Sequence, residues 1–332
     1  MRVLVTGGAG FIGSHIVNAL IERGHEVAVV DDLSTGTCEN MNPKTRFYQL
    51  DICDKRIEEV LRREQPEIVS HHAAQVNVWK STEDPIYDAT ENILGSLNLL
   101  ENCVRLGVKK IIYASSGGAI YGEPEYLPVD EGHPIKPVSQ YGVSKYAVEV
   151  YIQLYSLHRG LGYVILRYGN VYGPRQNPHA EAGVVAIFTK QMLYGEQPTI
   201  FGRGDKTRDY IHVSDIVEAN ILAMEYGRNG VYNIGTGVET SDHEVFDILA
   251  QALGYKGKSR YRPARRGEIY RIALDVTKAQ RELGWRATIP LIEGISSTVT
   301  YYKAQFESLS KPSLKVAGKS SRMKSFRLTY LK

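Results

Sequence analysis

The chain has 332 residues, of which 43% are hydrophobic and 23% are charged, as in an ordinary globular protein of one or two domains. No apolar run is long enough to span a bilayer, and the N-terminus runs straight into a strand without the pattern of a signal peptide. The odd set of Cys38, Cys53 and Cys103 has no metal-ligand spacing, which argues against a disulfide framework or a zinc site and favours a reducing cytoplasm.

The net charge of +3 belongs to the C-terminus, because residues 311–332 contain seven Lys or Arg and no acid. The preceding residues therefore carry a net charge of about −4. Such a tail is either an electrostatic arm for nucleic acid or membrane, or a disordered extension. Because the tail has no strong periodicity, we expect a disordered extension over 308–332, and neither nucleic acid nor a membrane as a partner.

Apolar strand-like runs alternate with helical stretches through the first half of the chain. The predicted strands are Arg2–Thr6, Glu26–Asp31, Arg46–Leu50, Ile68–His71, Lys110–Ser115 and Tyr163–Arg167. The predicted helices between them include Phe11–Arg23, Pro85–Leu106 and Gln140–Arg159. This alternation predicts an α/β fold with a doubly wound, parallel, Rossmann-type sheet that is covered on both faces.

Beyond Arg167 the pattern is less regular, because Gly and Pro interrupt it repeatedly. We expect residues 1–170 to form the sheet domain, with 200–235 returning to it. Residues 171–199 and 236–307 are expected to form a smaller mixed α/β lobe that packs closely beside the sheet.

The turn after the first predicted strand carries Gly7, Gly10 and Gly13, three residues apart. Glycine allows a tight turn, close approach of the backbone to a pyrophosphate, and close packing of the next helix. Asp31 ends the second strand, 24 residues after Gly7, where a carboxylate binds ribose hydroxyls and repels a 2′-phosphate. The alternative is an ordinary surface turn, but strand, glycines, helix and Asp together favour a site for NAD over NADP.

The segment "QYGVSKY" places Tyr141 one helical turn before Lys145, so that both side chains lie on one face. A neighbouring cation favours the phenolate and makes tyrosine a usable base. Because the chain has 22 Tyr, one such pair is also expected by chance, and the pair alone does not decide its function.

Several motifs appear in one order over residues 1–307: "TGGAGFIGSH", "DICD", "HHAAQ", "YASSGGAIYG", "SQYGVSKYAVE", "LRYGNVYGPRQNP", "TRDYIHVSDI" and "ARRGE". With these motifs the chain resembles the extended short-chain dehydrogenase/reductases, and in detail the UDP-glucose 4-epimerases. The resemblance implies an NAD-dependent isomerase that oxidises C4 of a UDP-hexose and returns hydride to the other face. It also implies a homodimer built as a four-helix bundle from the helices around 85–106 and 140–159.

The resemblance implies that Tyr141 is the catalytic base. It also implies that Lys145 lowers the pKa of Tyr141 from about 10 and bonds the nicotinamide ribose. Ser116 shares the proton of the sugar hydroxyl, although it could also be a strand-end serine that bonds backbone groups. The loop after Ser116 is one residue longer than in many relatives. Alignment from the strand selects Ser116 and alignment back from Tyr121 selects Gly117; we prefer Ser116, because the strand fixes the geometry.

The resemblance also assigns the contacts of the two ligands. The cofactor residues are Gly7, Gly10, Phe11, Ile12, Gly13, Asp31, Asp32, Asp51, Ile52, His72, Ala73, Ala74, Gln75, Asn92, Tyr141, Lys145 and Tyr168. The substrate residues are Ser116, Asn170, Val184, Phe201, Arg208, Arg265 and Glu268. Arg266 could replace Arg265, and Val184 and Phe201 could equally be core residues. No metal is expected.

Other reactions share this scaffold. Sugar 4,6-dehydratases and decarboxylases carry acids just after the serine or threonine of the fifth strand, whereas Gly117, Gly118 and Ala119 follow Ser116 here. A net reductase usually takes NADPH, which Asp31 disfavours. UDP-N-acetylated sugars, pentoses and uronic acids remain open as substrates. An alternative of another class is a catalytically silent NAD-binding scaffold.

Overall fold

The computed structural model of the protein describes residues 1–178, 183–264 and 268–310. Arg265 and the basic segment 311–332, for which the sequence makes predictions, lie outside the described residues.

The strands are β1 (Arg2–Thr6), β2 (Glu26–Asp31), β3 (Arg46–Gln49), β4 (Ile68–His71), β5 (Lys110–Ser116), β6 (Gly162–Tyr168), β7 (Asn170–Tyr172), β8 (Thr199–Phe201), β9 (Thr207–Arg208), β10 (Tyr210–His212), β11 (Gly230–Ile234), β12 (Thr240–Ser241) and β13 (Arg260–Arg262). The helices are α1 (Phe11–Glu22), α2 (Ile57–Glu64), α3 (Val78–Glu83), α4 (Pro85–Ala89), α5 (Gly95–Arg105), α6 (Gly117–Ile120), α7 (Gln140–Arg159), α8 (Val184–Leu193), α9 (Val213–Glu225), α10 (Asp242–Leu253), α11 (Thr277–Leu283) and α12 (Leu291–Ser310).

Seven strands form the central sheet in the order β11-β6-β5-β4-β1-β2-β3. All six pairings are parallel, so the predicted doubly wound parallel sheet is confirmed. The chain starts in β1, winds outward to β3, and then continues on the other side of β1 from β4. In such a sheet ligands bind outside the carboxyl ends of the strands, where the winding direction reverses.

Alternate residues of the central strands enter two separate cores. Val3 and Val5 of β1 pack on the face that α1 and α9 cover, while Leu4 packs on the opposite face with α2, α5 and α7. This period of two is the reason that a strand buried on both faces is apolar throughout.

A second lobe lies beside the sheet. Three two-stranded sheets, β7–β10, β9–β12 and β8–β13, accompany a third core that α8, α10 and α12 enclose. Phe188, Leu249 and Val299, one from each of these helices, are all buried in that core.

The predicted helix Pro85–Leu106 is not uniform. It consists of α4, a π-helical turn over Thr90–Leu94, and α5. Such turns mark the insertion of one extra residue and often occur at functional sites. The short α3 and α6 were not predicted, and the ends of the predicted strands and helices differ from the observed ends by at most one residue. Within the described residues, no helix has both the length and the apolar character needed to cross a membrane.

Candidate active site

One cavity of about 1540 Å³ follows the carboxyl ends of the central strands and continues against the second lobe. All but two of the predicted site residues line it. These are Gly7, Gly10, Phe11, Ile12, Gly13, Asp31, Asp32, Asp51, Ile52, His72, Ala73, Ala74, Gln75, Ser116, Tyr141, Lys145, Tyr168, Asn170, Val184, Phe201, Arg208 and Glu268. The exceptions are Arg265, which is not described, and Asn92, which does not line the cavity.

The turn between β1 and α1 forms a cradle that only glycine permits. Gly7 has a φ of +69°, and a Cβ there would lie 2.6 Å from the backbone nitrogen of Ala73. A Cβ on Gly13 would lie 2.2 Å from the carbonyl oxygen of Gly7. The start of α1 therefore lies close to the turn and presents its free N–H groups toward the cavity. This geometry fits the pyrophosphate of a dinucleotide.

Asp31 closes this cradle from the end of β2. Its carboxylate accepts hydrogen bonds from the backbone N–H of Ala9 at 3.0 Å and of Leu33 at 2.8 Å. Burial raises the pKa of Asp31, although these hydrogen bonds oppose the rise. Further carboxylates line the same end of the cavity: Asp32, Glu39, Asp51 and Glu91. An additional phosphate on the adenosine ribose would meet this negative charge, so the site fits NAD rather than NADP.

Asn92 acts from behind the cavity lining. Its side chain accepts the N–H of Gln75 and donates to the carbonyl oxygen of Gln75, both at 2.9 Å. The amide of Asn92 thus pairs with the backbone of the loop as another strand would. Because Asn92 is buried and Gln75 lines the cavity, Asn92 shapes the cofactor side of the site without reaching it.

Tyr141 and Lys145 lie in the first turns of α7, on one face as predicted. Ser139 begins the helix, since its hydroxyl accepts the N–H of Gly142 at 3.1 Å. The hydroxyl of Ser81 accepts the N–H of Tyr141 at 3.2 Å, which ties α3 to the same turn. The Lys145 ammonium lies 5.9 Å from the centroid of the Tyr141 ring.

Lys145 is almost completely buried and donates to the carbonyl oxygen of Ala114 at 2.9 Å. Burial lowers its pKa to about 8, while the negative charges of Asp88 and Glu149 act in the opposite direction. Burial therefore disfavours the protonated form of Lys145, and the two carboxylates stabilise it.

Ser116 is the last residue of β5 and lines the cavity, opposite Tyr168 of β6. Gly117 does not line the cavity, and a Cβ at that position would lie 2.7 Å from the side chain of Leu274 in the core. The backbone thus directs position 117 away from the cavity. This geometry supports the choice of Ser116 over Gly117.

The far end of the cavity is cationic. Its basic lining residues are Lys190, Lys206, Arg208, Arg260 and Arg262. Lys206 forms an ion pair with Glu268, so the acid predicted to bind a nucleotide ribose already has a cationic partner. A guanidinium nitrogen of Arg208 donates to the carbonyl oxygen of Thr207 at 2.8 Å. Several cations at one end fit the phosphates of a second nucleotide.

Sequence reasoning missed some residues of the site. Lys206 lines the cavity two positions before Arg208, and its position in "KTRDY" was the available signal. Arg175 also lines it and donates to the hydroxyl of Ser14 in α1 at 3.2 Å. Trp79 lines the cavity with 56% of its surface exposed. The motif "LRYGNVYGPRQNP" contains Arg175 and was the available signal for it, whereas the sequence around Trp79 carries no distinctive pattern.

Asp51, Cys53 and Glu91 could together offer ligand atoms within 4.8 Å of one another. A metal would require the thiolate of Cys53. Burial, with the nearby carboxylates, raises the pKa of Cys53 to about 12, so metal binding would have to displace a tightly held thiol proton. The expected absence of a metal stays a prediction.

The sheet, the glycine cradle and the Tyr141–Lys145 pair define a dinucleotide-dependent α/β enzyme. Residues 3–235 match the model of the NAD dependent epimerase/dehydratase family, and the chain belongs to this family. NAD, the cofactor expected from the sequence, is confirmed by this membership and by the solved relative with NAD described below.

Three relatives illustrate the similarity. The UDP-glucose 4-epimerase of Mycolicibacterium smegmatis is 43% identical over 309 residues, which cover 91% of this chain and 99% of the relative. The UDP-glucose 4-epimerase of Thermotoga maritima, solved with UDP-glucose, is 49% identical, with a TM-score of 0.91 over 92% of this chain and 100% of the relative. The UDP-glucose 4-epimerase of Thermus thermophilus, solved with NAD, is 47% identical, with a TM-score of 0.88 over 91% of this chain and 99% of the relative.

Proposed function

We propose that this protein is a UDP-glucose 4-epimerase, an NAD-dependent isomerase that interconverts UDP-glucose and UDP-galactose. One observation carries the proposal: Ser116, Tyr141 and Lys145 line the same cavity, which has a dinucleotide cradle at one end and cations at the other. The names of the relatives from M. smegmatis, T. maritima and T. thermophilus support the same activity.

In the proposed reaction Tyr141 takes the proton from the 4-hydroxyl group of the sugar and later returns it. The buried ammonium of Lys145 favours the phenolate of Tyr141, because opposite charges interact strongly where water is scarce. Ser116 hydrogen-bonds the same sugar oxygen and polarises the keto group that forms at C4. Bound NAD supplies the acceptor and donor of the hydride at C4.

Inversion at C4 requires that the 4-keto sugar presents its other face, and this step needs space rather than another acid. Elimination of water or loss of carbon dioxide needs further acid–base groups beside the sugar. Gly118 and Ala119 line the cavity next to Ser116. Among the described lining residues, the acids are Asp31, Asp32, Glu39, Asp51 and Glu91 at the cofactor end, and Asp242 and Glu268 on the side of the second lobe. This distribution favours epimerisation over dehydration.

The second lobe, residues 171–199 and 236–307, is proposed to hold the UDP part of the substrate together with Asn170, Phe201 and Arg208, which lie beside it in the chain. Arg208 binds the diphosphate, because a guanidinium bonds phosphate oxygens in pairs. The proposal adds Asn170 and Arg265 to the phosphate site, Glu268 to the ribose, and a uracil wall of Val184 and Phe201.

We also propose a homodimer that joins α7 and the helix 85–105 to their copies in a four-helix bundle. Val143, Val150, Leu154 and Leu157 share one face of α7 and are 51%, 40%, 43% and 76% exposed. On the neighbouring helix Ile86 is 79% exposed and Leu94 56%. A continuous apolar face of this kind marks a protein interface.

A cytoplasmic location completes the proposal. All three cysteines of the chain are free, and Cys103 is buried. Free thiols fit a reducing compartment.

The test is conversion of UDP-galactose to UDP-glucose by the purified protein without added cofactor. We expect turnover with retained NAD, and nearly complete loss in Tyr141→Phe, which keeps the ring and removes the base. Tyr146→Phe, on the same helix but outside the cavity lining, should remain active. Absence of turnover, even with NAD supplied, would overturn the proposal. UDP-N-acetylated and uronic sugars would then be tested, and bound NAD without turnover of any of them would indicate a silent scaffold.

A further inference from the structure

Asp88 is a carboxylate of α4 that is only 1% exposed and lies behind the cavity lining. It accepts three side-chain hydrogen bonds: from the Ser144 hydroxyl at 2.5 Å, from Gln75 Nε2 at 2.8 Å, and from Asn92 Nδ2 at 3.0 Å. Ser144 directly precedes Lys145 on α7, and Gln75 lines the cavity. One buried carboxylate therefore joins the cofactor loop, the π-helical turn and the helix of the catalytic pair.

All three of these donors are neutral, and a buried carboxylate without a cationic partner is costly. The negative charge of Asp88 acts on Lys145, whose pKa it raises against the effect of burial. Glu149 acts on Lys145 in the same direction, but it already forms an ion pair with Arg167 at 2.6 Å. Of these two carboxylates near Lys145, Glu149 has a cationic hydrogen-bond partner, whereas Asp88 has only neutral ones. The negative charge of Asp88 is therefore not neutralised by its own hydrogen-bond partners.

We propose that Asp88 is a positioning residue for the Tyr141–Lys145 pair, as the counter-charge of Lys145 and as the link between α7 and the loop at Gln75. Its importance for turnover rests on the function proposed above. The electrostatic part of the proposal concerns Lys145 alone and is testable without a substrate.

Other titratable or charged groups around Lys145 do not replace this counter-charge. They are Tyr141 and Glu149 from α7, Tyr113 from β5, Arg167 from β6, and His71 and His72 from the end of β4. Both histidines are neutral because burial, with the charge of Lys145, lowers their pKa, in His72 to about 3.

Loss of the Asp88 charge removes an effect that raises the pKa of Lys145. The ammonium should then lose its proton at lower pH, by about one pH unit for one nearby opposite charge. The protonated form of Lys145 would be depleted near neutral pH, where the native protein retains it.

The titration of Lys145 can be followed directly by NMR on protein with ¹³C at the lysine ε-carbon, with the signal assigned by its absence in Lys145→Arg. We expect Asp88→Asn to lower the titration midpoint by about one pH unit. Asp84→Asn removes an acid of the same helix region whose side chain accepts the N–H of Tyr87, and should leave the midpoint unchanged. Ser144→Ala removes a hydrogen bond but no charge, and should also leave it unchanged. An unchanged midpoint in Asp88→Asn would overturn the proposal.

Activity against UDP-galactose provides the second readout. The alkaline limb of the pH profile should move by the same amount in Asp88→Asn and return in Asp88→Glu, whereas a merely structural defect would lower turnover without moving the limb. If Asp88→Asn does not fold, Asp88→Ser removes the same charge and is measured in the same way. Native protein that titrates at Lys145 but does not turn over UDP-galactose would overturn the proposed function and leave the NMR result to decide on Asp88.

Discussion

Arg167 of β6 and Glu149 of α7 form a buried ion pair beneath the cavity, with 2.6 Å between the closest nitrogen and oxygen and side chains that are 5% and 0% exposed. Another guanidinium nitrogen donates to the Tyr121 hydroxyl at 2.8 Å, and Tyr121 donates to Asn233 at 2.7 Å. Ser115 also donates to Glu149. This network connects α7 to the three central strands β5, β6 and β11, one helical turn beyond Lys145.

Arg167→Met should lower the free energy of unfolding by about 3–5 kcal/mol, because it leaves the Glu149 carboxylate buried without its ion-pair partner. Urea denaturation measures this effect. Arg281→Met is the control, since its partner Glu282 is 2.8 Å away but both side chains are solvent-exposed, at 69% and 37%. The control should cost less than about 1 kcal/mol. Equal costs in the two variants would show that burial of the pair is unimportant.

This network also marks the limit of what the sequence can predict. The strand pattern, the glycine turn and the Tyr141–Lys145 spacing are local, so periodicity and motif order predicted the sheet and a set of site residues of which all but two line the cavity. Arg167 lies within an apolar strand, and its partner is specified by the packing of α7 on the sheet, which is not a local property. Asp88 and the π-helical turn were missed for the same reason.

Substitutions of Ser116 and Gly117 should distinguish a catalytic role from a role in packing. Ser116→Ala should lower kcat about 100-fold, since it removes a hydroxyl group that takes part in proton transfer. Gly117→Ala should instead cost about 1–3 kcal/mol of stability, because the new Cβ would lie 2.7 Å from the side chain of Leu274. Kinetics and urea denaturation of both variants provide the comparison. A large loss of kcat in Gly117→Ala with unchanged stability would reverse the assignment.

The hydrogen bonds around His71 determine its tautomer. The Ser96 hydroxyl donates to the carbonyl oxygen of Asn92 at 2.5 Å, so its oxygen accepts from His71 Nε2 at 2.9 Å. His71 Nδ1 therefore carries no proton and accepts from the Thr6 hydroxyl at 2.7 Å. The Thr6 oxygen in turn accepts the N–H of Ala73, in the cofactor loop, at 3.2 Å.

His71 should make the protein less stable in acid. Burial lowers its pKa well below 6.5, so below that pH the unfolded chain binds a proton that the folded chain does not. The free energy of unfolding should therefore fall by about 1.4 kcal/mol per pH unit from this group as the pH decreases from 6 to 5. His71→Gln should reduce the slope of stability against pH by that amount, as measured by urea denaturation. His158→Gln, at an exposed position on α7, should not change it, and an unchanged slope in His71→Gln would contradict the prediction.

Leu157 tests the proposed dimer. This side chain is 76% exposed at the end of the apolar face of α7. In a monomer Leu157→Glu would be nearly neutral, whereas in a four-helix bundle it would bury an unpaired charge between the two copies. We therefore expect light scattering to show a dimer in the native protein and a monomer in Leu157→Glu. Tyr226→Glu is a matched control, because Tyr226 is 65% exposed next to α9, on the opposite face of the sheet. A dimer that survives Leu157→Glu but not Tyr226→Glu would place the interface on the α9 face instead.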